Sequence, residues 1–168
     1  MSSSTINLTP VCQNLAALQA CIDSEVYCSD WEVITQERIA QFAQATGDFQ
    51  WIHVDPDRAR RDSPYGETIA HGFLTLALLG KYYEAFLPGL LPFCDIGINY
   101  GLDRVRFTQA VRSGSKVRGR FLLQEAQQEG EHIRLIFQVQ IEIQGGSKPA
   151  CVAQSIVLRR LTDSEKTA

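Results

Sequence analysis

Apolar residues recur at helical spacing through the first half of the chain and at strand spacing through the second. Val11, Leu15, Leu18 and Ile22 follow one another at intervals of four, three and four, which predicts a helix over residues 10–22. Residues 26–34 favour a strand. Thr35 is suited to cap a second helix, with Glu37 in its first turn, Ile39, Phe42, Ala43 and Thr46 on one face, and Gly47 as its stop. Asp55-Pro56 is a cap followed by proline at the first helical position and opens a short basic helix through Arg61. Ser63-Pro64-Tyr65-Gly66 is a turn signal. Residues 69–87, IAHGFLTLALLGKYYEAFL, are too uniformly apolar for a surface helix and predict one buried on most sides.

From Cys94 onward the pattern changes period. Strands are predicted over 96–100, 103–107, 116–125, 132–143 and 150–161, several of them separated by short turns. Phe137, Val139, Ile141 and Ile143 alternate with Gln138, Gln140, Glu142 and Gln144, as in an antiparallel strand with one buried face. One buried helix followed by long antiparallel strands predicts an α+β domain in which a sheet wraps a helix. Residues 1–9 and 162–168 read as frayed ends.

Composition narrows the possibilities. The chain has 168 residues, 45% hydrophobic and 21% charged, enough for one domain with its own core and no metal or disulfide staples. A net charge of -3 argues against a nucleic-acid binder, and no apolar run reaches the ~20 residues of a membrane-spanning helix. The first basic residue is Arg38, so no targeting signal is read at the N-terminus and a cytoplasmic location is expected. Cys12, Cys21, Cys28, Cys94 and Cys151 are odd in number and lack metal-ligand spacing, so they are expected to pack as reduced, small hydrophobes.

The chemistry concentrates between Phe42 and Gly72. Asp48 and His53 fall in one predicted loop between two helices, a carboxylate and an imidazole suited to general acid–base work. The plainer alternatives are that Asp48 caps local backbone and that His53 is a hydrogen-bonded core histidine. Gly72 lies near the start of the buried helix, where backbone N–H groups lack intrahelical partners and suit an anion or a polarised carbonyl oxygen. The alternative for Gly72 is close packing against the sheet. His71 is expected to be structural, and Tyr82, Tyr83 and Phe86 to belong to the core or a dimer contact.

Together these residues resemble a known family. Phe42-Ala43, Thr46-Gly47-Asp48, Ile52-His53-Val54-Asp55-Pro56 and Ala59, followed by Ile69-Ala70-His71-Gly72-Phe73-Leu74, resemble the MaoC-like (R)-specific enoyl-CoA hydratases and 3-hydroxyacyl-thioester dehydratases, in particular their nodulation-protein-N-like branch. Val105-Arg106-Phe107, Val111 and Gly114 resemble a downstream motif of the same family. The resemblance implies a hotdog fold spanning residues 1–168, with 1–28 an N-terminal extension that is partly helical. It implies a homodimer acting on an acyl thioester of coenzyme A or acyl carrier protein, with no metal or other cofactor. Asp48, His53 and Gly72 fall at the family's catalytic positions: the first two would activate water, and the N–H of Gly72 would bind the thioester oxygen. Trp51 replaces a residue of the family's pocket wall, and Tyr65 and Gly66 are candidates for the pocket mouth, so these three are the substrate-binding candidates. Gly80 stands where some members carry a serine. A hotdog thioesterase and a non-catalytic acyl-thioester-binding module are the rival functions.

Overall fold

A computed structural model describes residues 9–163 of the chain; the ends expected to fray over 1–8 and 164–168 lie outside the described residues. The first half supplies helices. Leu15–Gln19 is α1, Gln36–Thr46 is α2, Trp51–Val54 is α3, Pro56–Asp62 is α4 and Gly72–Leu90 is α5, with strands β1 (Glu25–Cys28) and β2 (Glu32–Val33) between α1 and α2. The second half is the antiparallel sheet: β3 (Cys94–Phe107), β4 (Lys116–Glu129), β5 (His132–Ile143) and β6 (Cys151–Leu161). The order β1-β4-β5-β6-β3, with β2 also on β4, leaves one side of β3 open at an edge.

The core lies between the inner face of this sheet and α5. The alternation read in β5 is observed: Phe137, Val139 and Ile141 are buried while Gln138 is exposed. Tyr82, Phe86, Phe121 and Phe137 are among the largest fully buried side chains, and Tyr27 stacks on Phe86 with centroids 4.5 Å apart. Gly119 makes room on β4, since a Cβ there would meet the Tyr82 ring at 2.7 Å. None of the five cysteines is in a disulfide and four of them are buried; Cys12 and Cys21 bring their sulfurs to 3.9 Å. Among the described residues no helix is long and apolar enough to cross a membrane.

Several boundaries differ from the pattern reading. The first helix spans one turn, Leu15–Gln19, capped by the Asn14 side chain, and only Leu18 of it is buried. Residues 25–28 are paired to β4 and belong to the sheet rather than to an extension. The single strand expected over 26–34 is broken after Ser29: its N–H still bonds the Gly119 carbonyl, but its hydroxyl accepts from the Gly119 N–H, taking the donor a further ladder bond would need. The two strands expected over 96–107 are one, with register shifts between Asn99 and Gly101 and between Asp103 and Arg106 absorbing its curvature. The long helix begins at Gly72 rather than at residue 69, and it runs through Pro88 to Leu90. The proline is tolerated two residues from the end, within the last turn, where Leu90 and Leu91, both fully buried, anchor the backbone.

Candidate active site

Four local structures converge at the N-terminus of α5. Helix α2 ends as its sequence dictates: Gly47 takes a left-handed φ of 76° and returns its N–H to the Ala43 carbonyl at 2.8 Å. That turn presents Asp48. Its Oδ1 accepts from the Gln50 N–H at 3.3 Å, so the local-cap reading describes one oxygen, while the side chain remains 54% exposed. His53 does not lie in the expected loop; it sits in α3, a single helical turn, and is 7% exposed.

Residues 68–71 form an extended strap rather than the first turn of α5, because their backbone groups are taken by neighbours. The Ile69 N–H bonds to the Ile52 carbonyl at 3.0 Å, the Ala70 N–H to Val111 at 2.7 Å, and the Thr68 carbonyl accepts from Ser113 at 2.9 Å. Gln36 clips strap and α3 together, donating to the His53 carbonyl at 2.8 Å and accepting from the Thr68 hydroxyl.

The strap fixes the His53 tautomer. Nδ1 lies 2.6 Å from the Ile69 carbonyl oxygen, which only accepts, so Nδ1 carries the proton and Nε2 is a bare base. Burial disfavours the imidazolium and lowers the His53 pKa below its ordinary value; the Ile69 carbonyl opposes this, neighbouring His71 adds to it, and the Asp48 charge opposes it. His71 stacks on His53 with centroids 3.8 Å apart and an interplanar angle of 26°.

Asp48, His53 and His71 place a carboxylate oxygen and two ring nitrogens within 4.8 Å of one another, donor types that suit a transition metal. The geometry fits one poorly. His53 Nδ1 and His71 Nε2 are each engaged by a main-chain carbonyl, and lone pairs in stacked rings run side by side instead of converging on one point.

Gly72 is the first residue of α5, directly after His71 of this cluster, and His71 makes no side-chain cap, so the first N–H groups of this 19-residue helix have no capping side chain. The packing reading of Gly72 also applies. A Cβ here would meet the Phe107 ring at 2.9 Å.

From this point an open cleft of about 410 Å³ follows one face of α5, through Phe73, Leu76, Ala77, Gly80 and Tyr83, with Asn99 and Leu102 of β3 opposite. Phe73 to Tyr83 at ~1.5 Å per residue makes it roughly 15 Å long. At Gly80 an added Cβ would meet only the Asn99 side chain, at 4.0 Å, so the missing serine leaves free space.

The structure therefore brings together Asp48, His53 and Gly72. The cleft wall begins at Phe73, next to Gly72; neither Asp48, His53 and Gly72 themselves nor Trp51, Tyr65 and Gly66 are part of it. Trp51 lies under the Arg58 guanidinium at 4.4 Å, and Tyr65-Gly66 is a turn closed by the Gly66 N–H on the Ser63 carbonyl. Tyr83, expected in the core or at a dimer contact, lines the cleft as well. His71, expected to be structural, is buried and hydrogen-bonded to the Asp48 carbonyl. Gln36 gives no local signal in the sequence.

Comparison with known proteins shows the family and the fold. Residues 17–142 match the family described as MaoC like domain. The chain is 44% identical over 146 residues to 3-hydroxyacyl-thioester dehydratase Z of Mycobacterium tuberculosis (strain ATCC 25618 / H37Rv), covering 86% of this chain and 95% of the relative. It is 42% identical over 154 residues to Nodulation protein N of Rhizobium leguminosarum bv. viciae, covering 91% and 95%. Among solved structures, the (R)-hydratase from A. caviae involved in PHA biosynthesis superposes with a TM-score of 0.65 at 23% identity, over 81% of this chain and 95% of that one, which shows a shared fold.

Proposed function

The chain belongs to the MaoC-like family, and on that premise we propose that it is a hydro-lyase that adds water reversibly to a trans-2-enoyl thioester, as an (R)-specific enoyl-CoA hydratase or 3-hydroxyacyl-thioester dehydratase. One observation carries the reading: a carboxylate oxygen of Asp48 and a ring nitrogen of His53 lie within 4.8 Å, beside a helix N-terminus with no side-chain cap. That separation admits one water held by both groups.

In the forward step the water oxygen attacks C3 as its proton passes to the Asp48–His53 pair, His53 accepting at the bare Nε2. The electrons of the double bond move through C2 onto the thioester oxygen, where the N–H of Gly72 stabilises the enolate-like charge. The pair then returns the proton to C2, so the elements of water are added and the pair is regenerated. Acid–base groups of this kind contribute about 10²–10⁴-fold, and one oxyanion donor about 10²–10³-fold. The apolar cleft along α5 suits the acyl chain. Trp51, Tyr65 and Gly66 then meet substrate only towards its carrier end, coenzyme A or acyl carrier protein.

A second copy of the chain completes the reading. Strand β3 has an open edge, and Ile96, Ile98, Tyr100 and Leu102 along it are all exposed, as is Phe73 at the cleft entrance. An unpaired 14-residue edge this apolar calls for cover. Edge-to-edge pairing of two β3 strands supplies it in a homodimer.

The test follows crotonyl-CoA and longer 2-enoyl-CoAs by loss of enoyl-thioester absorbance, with free thiol read in the same samples. Wild type is expected to hydrate, and Asp48→Asn and His53→Ala to lose about 10²–10⁴-fold in turnover while remaining folded. Thiol release without hydration would replace the reading with a thioesterase. Tight binding with neither reaction would replace it with an acyl-thioester-binding module.

A further inference from the structure

We infer that His71, which takes no part in the proton transfers above, is the positioning residue that sets the geometry of both groups that do. The inference rests on the hydration reading and assigns a role to a side chain that the reading leaves idle.

His71 is 3% exposed and reaches both partners with different parts of one ring. Its Nε2 lies 3.0 Å from the Asp48 main-chain carbonyl oxygen, an acceptor only, so Nε2 carries the proton. Its Nδ1 is buried and has no partner among the described residues; a second N–H there would be an unsatisfied donor, which selects the Nε2–H tautomer. The ring face lies 3.8 Å from the His53 ring, whose edge is held by the Ile69 carbonyl. Phe42 packs on His71 at 5.1 Å.

The other holds on Asp48 are weak. Its N–H lies 3.5 Å from the Thr46 hydroxyl, and its carboxylate meets the Gln50 N–H at 3.3 Å. The bond from His71 is the shortest of the three, and it ties Asp48 to the residue that directly precedes Gly72. One rigid ring thereby spaces carboxylate, base and helix N-terminus. A purely space-filling role would be better served by an apolar side chain, because the bare buried Nδ1 costs free energy that Leu would not.

The experiment compares His71→Leu, which fills the space without a donor, with His71→Gln, whose side-chain amide offers N–H near the position of Nε2. Ring ¹⁵N shifts of wild type are recorded alongside; the chain has only three histidines, His53, His71 and His132. Expected are a kcat loss of about 10²-fold in His71→Leu, the scale of a 1 Å misplacement, with KM within about 2-fold. His71→Gln should recover to within about 10-fold of wild type. The ¹⁵N spectra should show His71 protonated at Nε2 and His53 at Nδ1.

A folded His71→Leu with wild-type kcat would overturn the inference, as would equal losses in both variants or a His71 proton on Nδ1. If His71→Leu does not fold, His71→Gln and the spectra decide. If wild type hydrates no thioester, the hydratase reading fails, while the spectra still judge the placement of His71 by themselves.

Discussion

Gln36 joins two segments that must stay in register for His53 to face Asp48, and its removal has a cost that the structure allows to be worked out. Gln36→Ala deletes the donor to the His53 carbonyl and the acceptor of the Thr68 hydroxyl, and Thr68 is 2% exposed. An ordinary hydrogen bond contributes about 0.5–1.5 kcal/mol net, and a buried hydroxyl left without a partner costs about 1–3 kcal/mol. The expected loss is therefore about 2–4 kcal/mol, or ~5–15 °C in Tm for a chain of this length. Urea unfolding should show a lower midpoint at unchanged slope.

Gln41→Ala is the internal control. It removes the same residue type from the same helix, but among the described residues Gln41 reaches only the exposed Glu37 carboxylate, at 3.4 Å, so less than about 0.5 kcal/mol should be lost. Adding Thr68→Val to Gln36→Ala removes the orphaned hydroxyl and should restore about 1–2 kcal/mol. Turnover should fall roughly 10-fold in Gln36→Ala, because the α3 turn that carries His53 loses a tether. Equal stability of Gln36→Ala and Gln41→Ala would refute the reasoning.

Further expectations follow from the same site. The His53 pKa is lowered, first by burial, so the base stays neutral below the usual ~6.5 and the acidic limb of kcat/KM should fall below that pH. By linkage, the unfolded chain takes up this proton first, so the stability His53 contributes is present above ~6.5 and is lost as pH falls through that value towards the folded pKa; His53→Gln should flatten this part of the stability–pH curve. Gly72→Ala forces the Phe107 ring away from 2.9 Å, yet that ring is 45% exposed and has room to yield. Stability should drop by only about 1–2 kcal/mol while turnover falls at least ~10-fold, as thermal unfolding and steady-state kinetics would show. Ile98→Asp on the open β3 edge should yield monomers by light scattering, whereas the same change at exposed Val33 on β2 should leave the dimer intact.

Local chemistry made much of this legible in one dimension. Thr35 and Gly47 bound α2 because capping and the left-handed turn are properties of single residues and their nearest neighbours. Asp55-Pro56 opens α4 for the same reason, with the Asp55 side chain accepting from the Arg58 N–H. The alternation of Phe137, Val139 and Ile141 foretold which face of β5 is buried. Asp48, His53 and Gly72 stand out in the sequence because their spacing matches a family pattern, and the fold brings them together.

Other features depended on partners distant in sequence. Residues 69–71 carry a helical pattern, but the carbonyl of Val111, the N–H of Ser113 and the α3 turn draw this strap into an extended form, and α5 starts later. Ser29 ends the first part of the predicted strand because its hydroxyl occupies the N–H of Gly119, 90 residues away. Tyr65 and Gly66 stand close to the motif in sequence but do not line the cleft, whereas Asn99 and Leu102 of β3 do. His71 and Gln36 matter through contacts with Asp48, His53 and Thr68, which are as many as 32 residues away along the chain. The chain alone determined which groups were available and where helices and strands could start and stop. Their distances, tautomers and burial were decided only when sheet and helix closed on each other, because hydrogen bonds and desolvation depend on separation in space, not on position in sequence.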